Sequence, residues 1–103
     1  MRVSEISNMY YFYVLYSLKD HRLYKGASNN LPRRVLQHDA GMVKSTRYRR
    51  PLILLYFEGY AEKEKAFARE RWSKTLEGGP GLKALLKEKG LLNERDELNV
   101  RLG

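Results

Sequence analysis

A small set of tyrosine, arginine and histidine residues has the types and spacing to do chemistry. Eight of the 103 residues are tyrosines, and Tyr13 and Tyr24 stand in the N-terminal part of the chain, followed by Arg34 and His38 one helical turn apart. Hydrolysis of a phosphodiester needs an activated water, positive charge beside the phosphoryl oxygens and help for the leaving oxygen. Phenol, guanidinium and imidazole groups can supply much of this, provided that the chain brings them together.

The two tyrosines lie on segments that are typical of a β-hairpin. Aromatic and β-branched residues predict a strand over Met9–Ser17, and a shorter strand follows over Leu23–Ala27 after a polar turn. Pairing of the two strands would place Tyr13 and Tyr24 on antiparallel neighbours, although the sequence does not fix the register. The other tyrosines of the first strand are interpreted as packing residues.

Arg34 and His38 lie on a predicted helix over Leu31–Ala40. Pro32 suits the first turn of a helix, and Gly41 suits a left-handed stop after it. At about 100° per residue, Arg34 and His38 fall on the apolar, inward face of this helix. In an alternative interpretation, their stems lie along the edge of the core and their polar ends are in water.

The loop over Met42–Pro51 is the most basic segment of the chain and contains no acidic residue. Hydroxyls and an aromatic ring between the cations favour a surface for nucleic acid, although a solvated loop is the plain alternative. The predicted nucleic-acid-binding residues are Lys44, Arg47, Tyr48, Arg49 and Arg50.

Three further elements complete the predicted fold. The nearly continuous apolar run Leu52–Phe57 predicts a central strand covered on both faces. A helix is predicted over Glu62–Leu76 and a short last helix over Leu82–Lys89, with the glycine-rich segment Gly78–Gly81 as a non-helical break between them. The resulting order is β-β-α-β-α-α, that of a small α/β (α+β) domain.

Glu70 is a carboxylate close to the apolar side of the helix that follows the third strand. Most carboxylates on helices are solvated or pair with a neighbour one turn away, and here Lys74 is such a neighbour. From the residues alone, Glu70 is therefore a weak candidate for a metal ligand.

Composition limits the partners and the class of site. Lys and Arg number 20 against 12 Asp and Glu, and a formal net charge of +8 favours phosphate-bearing partners. Cysteine is absent, so a metal would be held by oxygen or imidazole ligands, which suits a hard ion such as magnesium. No signal segment or membrane span is evident, and we expect a soluble, cytoplasmic protein.

In order and spacing, these segments together resemble the GIY-YIG nuclease family. The similarity is to its small, single-domain bacterial-type members and to the nuclease domain of the excision-repair incision subunit. It covers residues 9–90, with residues 1–8 as a lead-in and 91–103 as a C-terminal tail. The matching segments are Tyr11-Phe12-Tyr13, Tyr24-Lys25-Gly26, Asn30-Leu31-Pro32-Arg33-Arg34 with His38, Lys44 to Pro51, and Ala68-Arg69-Glu70.

The resemblance implies a three-stranded antiparallel sheet flanked by helices and an endonuclease that cuts DNA with one Mg²⁺ or Mn²⁺ ion, as in DNA repair. It implies that Tyr13, with Tyr24 or His38, takes a proton from the attacking water. It further implies that Arg34 stabilises the phosphoryl charge and that Glu70 holds the metal.

Several positions depart from the family pattern. In the first motif, Tyr11-Phe12-Tyr13, Tyr11 and Phe12 stand where the family name has Gly and Ile. In the second motif, Tyr24-Lys25-Gly26, Lys25 occupies the middle position, which is apolar in the family. The main alternative function is a non-catalytic nucleic-acid-binding module of the same fold, and a third is an interaction subunit. No second domain for specificity is evident, so we expect weak selectivity or a partner protein that supplies it.

Overall fold

A computed structural model describes residues 9–99 of the chain. It contains one antiparallel sheet of three strands, and the strands lie in the order β2-β1-β3. Strand β1 spans Tyr10–Ser17, β2 spans Leu23–Ser28 and β3 spans Leu52–Tyr60. Helix α1 spans Leu31–Asp39, α2 spans Lys63–Ser73 and α3 spans Gly78–Glu88. The predicted β-β-α-β-α-α order and the antiparallel sheet are thus confirmed.

The predicted lead-in, residues 1–8, lies outside the described residues, as do residues 100–103 of the predicted tail. Between residues 9 and 99, the chain forms no helix with the length and apolar character needed to cross a membrane.

The central strand is β1, so the prediction that Leu52–Phe57 forms the central strand is wrong. Strand β1 hydrogen-bonds to both other strands, whereas β3 pairs only with β1 in the described part of the chain. Strand β1 is buried on both faces over Phe12–Ser17, while Phe57 on β3 is 51% exposed. The aromatic residues of β1 therefore fill the role that the aliphatic run was expected to fill.

Each face of the sheet carries its own hydrophobic cluster. On one face, Phe12, Val14 and Tyr16 of β1 pack with Leu82 and Leu86 of α3. On the other face, residues of β1 pack against α1, and this smaller cluster contains Tyr13, Leu15, Leu31 and Val35. Because side chains alternate along a strand, Tyr13 is on the α1 face, which is the face that Arg34 and His38 approach.

Helix α1 begins as predicted. The Asn30 side chain accepts a hydrogen bond from the Arg33 amide at 3.1 Å, and Pro32 lies in the first turn. Gly41, with φ of +77°, follows the end of the helix. The cap sets where α1 starts and therefore which side chains face the sheet.

The prediction of a non-helical break at Gly78–Gly81 is wrong, because α3 already begins at Gly78 and includes this segment. A Cβ at Gly78 would lie 1.8 Å from the Trp72 carbonyl oxygen, so the missing side chain allows α2 and α3 to meet closely. Helix α2 correspondingly ends at Ser73 rather than Leu76, and Leu76 is 99% exposed.

The hydrophobic core continues beyond residue 90. Leu92 is 2% exposed and belongs to the cluster under α3, and its backbone forms an isolated antiparallel bridge with Leu98. The described part of the C-terminal segment is therefore packed against the domain.

A half-buried carboxylate, Glu58, ties β3 to α2. Tyr56 and Tyr60 donate hydrogen bonds to it at 2.5 and 2.6 Å, and the Arg69 guanidinium donates to both of its oxygens at 3.0 and 3.2 Å. Arg69 in turn stacks over the Trp72 ring, 4.1 Å from its centroid. Burial and the Glu58 carboxylate raise the pKa of Tyr56 to about 12, so its phenol remains a donor.

We expect Glu58→Gln to destabilise the fold by about 2 kcal/mol at neutral pH, because it weakens charge-assisted hydrogen bonds. Burial alone would raise the pKa of Glu58, but its three donors hold the pKa below the ordinary 4.5. The stabilisation is therefore fully present above pH 4.5 and is lost as the pH falls through the folded-state pKa. Thermal unfolding from pH 3 to 7 should show the difference between variant and wild type shrinking in acid.

Glu62→Gln is the matched control, because the Glu62 carboxylate is 61% exposed and pairs with the exposed Lys65. A constant difference between Glu58→Gln and wild type over this pH range would contradict the role given to Glu58.

Candidate active site

The Tyr13 ring lies directly over Gly26, its register partner on the edge strand β2. A Cβ at position 26 would lie 2.3 Å from the Tyr13 hydroxyl oxygen and 2.5 Å from Cζ. Real Cβ atoms do not come so close, so a glycine is required here for the ring to keep its position. The second motif thus contributes its glycine directly to the placement of the first motif's tyrosine.

The Tyr13 hydroxyl is shared by both side chains that were predicted to face inward from α1. It lies 3.0 Å from Nε2 of His38 and accepts a hydrogen bond from Nε of Arg34 at 3.3 Å. Tyr13 and His38 are 3% and 4% exposed. The inward orientation is therefore the observed one, and the alternative with both polar ends in water does not hold for His38.

Thr46 completes the chain of hydrogen bonds on the far side of the imidazole. Its Oγ1 lies 2.7 Å from Nδ1 of His38, and the residue is 1% exposed. Sequence reasoning did not select Thr46, which it treated only as a hydroxyl among loop cations. A buried hydroxyl in a loop has no periodic signature, so no pattern in the sequence singles out Thr46.

The electrostatic environment favours a neutral imidazole. Burial, reinforced by the Arg34 guanidinium, lowers the pKa of His38 below 6.5, against a smaller opposing effect of Asp39. A neutral imidazole donates through one nitrogen and accepts through the other. The line from Tyr13 through His38 to Thr46 can therefore move a phenol proton, while Arg34 stabilises negative charge on the phenol oxygen.

Tyr24 reaches the same cleft, but its hydroxyl is committed elsewhere. It donates a hydrogen bond to Oδ2 of Asp20 at 2.6 Å, and Asp20 also lies 3.7 Å from Nε of Arg49. Burial and then Asp20 raise the pKa of the Tyr24 phenol. Asp20 was not a predicted site residue, since a carboxylate in a polar turn is usually solvated.

A cleft of about 490 Å³ brings the predicted catalytic residues together. Glu70 enters it from α2, and Lys74 donates a hydrogen bond to its Oε2 at 2.9 Å. The predicted pairing of Glu70 with Lys74 is thus present within the cleft. The five predicted catalytic and metal-ligand residues that line it are Tyr13, Tyr24, Arg34, His38 and Glu70.

Of the predicted site residues, Glu70 is the one that offers a carboxylate to a metal ion in this cleft. No group of three or more His, Asp or Glu side chains that could hold a metal occurs within residues 9–99. Mg²⁺ keeps several waters and often takes only one or two protein carboxylates, so Glu70 on an open cleft is a suitable ligand. Such an ion would have to compete with the Lys74 ammonium.

The basic loop divides between two places. Its residues Val43, Ser45 and Thr46 line the cleft that contains Tyr13 and Glu70. Another cleft, of about 630 Å³, is lined by Arg47, Tyr48 and Arg50 together with other residues.

The predicted nucleic-acid-binding cations differ in their contacts. Arg50 donates to the carbonyls of Arg47 and Asp39, at 2.9 and 3.2 Å, and so braces the loop against the end of α1. Arg49 is held near Asp20, whereas Lys44 is exposed. Contact of these residues with nucleic acid stays a prediction.

Comparison with known proteins agrees with this arrangement. Residues 9–79 match the family model of the GIY-YIG catalytic domain. A UPF0213 protein of Clostridium perfringens is 38% identical over 91% of this chain and all of its own length. A UPF0213 protein of Natronomonas pharaonis is 44% identical over 65% of this chain and 79% of its own.

Among solved structures, the solution NMR structure of a UPF0213 protein from Bacillus halodurans is 30% identical, with a TM-score of 0.48, over 75% of this chain and 84% of that one. The family model covers well over half of the sequence, and its range includes all the residues that line the cleft around Tyr13 and Glu70. The chain therefore belongs to the GIY-YIG nuclease family.

Proposed function

We propose that this protein is a divalent-metal-dependent endonuclease that hydrolyses DNA phosphodiester bonds. The observation that carries the proposal is the Tyr13 hydroxyl, which contacts both the His38 imidazole and the Arg34 guanidinium in the cleft that also contains Glu70. A base, a cation and an oxygen ligand for a metal are the three groups that the reaction needs.

In the proposed reaction, a water attacks phosphorus while Tyr13 takes its proton. The phenol proton moves to Nε2 of His38, and Arg34 stabilises the phenol oxygen and the nearby phosphoryl charge. The new bond joins water oxygen to phosphorus, the bond from phosphorus to the leaving oxygen breaks, and that oxygen takes up a proton from solvent. His38 then releases to solvent the proton that it received. Glu70 would hold the Mg²⁺ or Mn²⁺ ion, which would supply positive charge for the leaving group.

Tyr24 has a supporting role in this scheme. Its proton is committed to Asp20, and its raised pKa makes it a poor base. We assign it to shaping the cleft wall and to holding Asp20, which anchors Arg49 in the basic loop.

One observation favours a second candidate, a non-catalytic nucleic-acid-binding module. The Lys74 ammonium already neutralises Glu70 in the structure, and such a pair weakens the site for a metal ion. In this candidate function, the loop cations and Arg34 bind the phosphate backbone without cutting it.

We expect Glu70→Gln and Arg34→Ala each to lower metal-dependent nicking of plasmid DNA by 100-fold or more, on the order of what losing an electrostatic stabiliser costs. The assay compares magnesium, manganese and chelator, with flap and single-stranded DNA as further substrates. Glu62→Gln, an exposed change next to the same helix, should cut like wild type.

Equal trace nicking by wild type and both site variants would indicate a contaminating nuclease and would contradict the endonuclease. DNA binding that persists in Glu70→Gln without any cleavage by wild type would favour the module.

Gly26→Ala should lower cleavage about 100-fold, because the new methyl group displaces the Tyr13 hydroxyl from its partners. Gly59→Ala is the control on the opposite edge strand, where a Cβ would lie 3.1 Å from the flexible end of Met9 and 3.3 Å from the Tyr11 ring. The measurement is the initial cleavage rate, with thermal unfolding of each variant in parallel.

Tyr13→Phe keeps the ring over Gly26 and removes only the hydroxyl, so it should show a similar loss of rate in a stable fold. Full activity of either Gly26→Ala or Tyr13→Phe would exclude Tyr13 as the proton acceptor.

A further inference from the structure

Lys25 is the residue of the second motif that the proposed reaction does not use. It lies on the edge strand β2 between Tyr24 and Gly26, so its side chain leaves the opposite face of the sheet from theirs. That face is covered by α2 and α3, and Lys25 is half-buried there. The Lys25 side chain therefore lies against the packed side of the domain and is not fully in solvent.

Two clefts meet at Lys25. One is the proposed catalytic cleft, which contains Tyr13 and Glu70. The other, of about 460 Å³, runs past the hairpin turn toward the C-terminal segment. Leu23 and Lys25 line both of them. An extended polymer that leaves the catalytic cleft along the β2 edge would thus pass Lys25 as it enters the second cleft.

The second cleft is predominantly positive. Besides Lys25, its cations are Arg22, Lys83 and Arg95, and its carboxylates are Asp96 and Glu97. Asp96 lies 2.8 Å from Lys87 and 3.9 Å from Lys83, so part of its charge is already neutralised. The lining therefore favours an anionic ligand.

The charge of Lys25 is not compensated. No ion pair within the described range, residues 9–99, includes Lys25, while Lys74 pairs with Glu70. Burial, and then the neighbouring ammonium groups of Lys83 and Lys74, lower the pKa of Lys25. A half-buried cation beside two others is stabilised by an anion that reaches all three.

A structural explanation for Lys25 also exists. A charged residue on an edge strand discourages pairing with the edge of another sheet. That explanation needs an exposed charge at the open edge, whereas Lys25 is half-buried and lines two joined clefts.

We propose that Lys25 binds a backbone phosphate next to the one held in the catalytic cleft, so that the substrate strand continues along β2 into the Arg22–Lys83 cleft. This inference rests on the proposed function, because it places a second phosphate of the same nucleic-acid strand. It gives the bound nucleic-acid strand a path across the domain, along β2.

The test is binding of a fluorescent single-stranded oligonucleotide in the presence of chelator, so that no cleavage occurs. Loss of one phosphate contact should lower the salt slope by about 0.7, which corresponds to roughly fivefold weaker binding at ~0.1 M salt. Lys25→Gln should show this loss and Lys25→Arg should not. The matched control is Lys65→Gln, an exposed charge on α2 that lines neither of these clefts.

A second readout separates phosphate contact from a structural effect. Uncharged methylphosphonate linkages are placed one at a time along the oligonucleotide. We expect one linkage position at which the substitution weakens binding to wild type but not to Lys25→Gln.

Lys25→Gln that keeps the wild-type salt slope and the wild-type response to every linkage would overturn the inference. If wild type still nicks plasmid DNA in that case, the proposed function stands without it. Wild type that neither binds the oligonucleotide in a salt-dependent way nor cuts DNA would overturn both.

Discussion

The position of one hydroxyl, that of Tyr13, depends on most of the fold. Strand β1 must be central to bury the ring, and β2 must present a glycine beneath it. Helix α1 must start at its Asn30 cap for Arg34 and His38 to arrive on the same side. The hydrogen bonds at 3.0 and 3.3 Å are therefore the joint result of three elements rather than of one motif.

The hairpin turn and the basic loop are held to each other by side-chain contacts. The buried Ser17 donates to the Arg49 carbonyl at 2.6 Å, and Asp20 joins Tyr24 to the Arg49 guanidinium. Thr46 in the same loop contacts His38. A change in the loop would therefore be transmitted to the imidazole through bonded groups, so the loop supports the site in addition to carrying positive charge.

The sequence predicted the parts of this arrangement that follow a period. Arg34 and His38 were placed inward because a helix repeats every 3.6 residues, and the hairpin was recognised from two strand segments with a polar turn. Strand order was not predictable, because a buried aromatic strand and a half-exposed aliphatic strand look alike without their partners. The contact of Thr46 with His38 and the start of α3 at Gly78 depend on tertiary approach, which leaves no local pattern.

Glu70 illustrates how two opposing charges can share one cleft. A lysine one turn away neutralises the carboxylate when no metal is bound, which limits the cost of a half-buried negative charge. A metal ion bound at Glu70 would leave the Lys74 ammonium without its partner, close to the ammonium group of Lys25. In the proposed reaction, the phosphate backbone of the substrate would offset this positive charge, so binding of the metal and of the substrate would favour each other on electrostatic grounds.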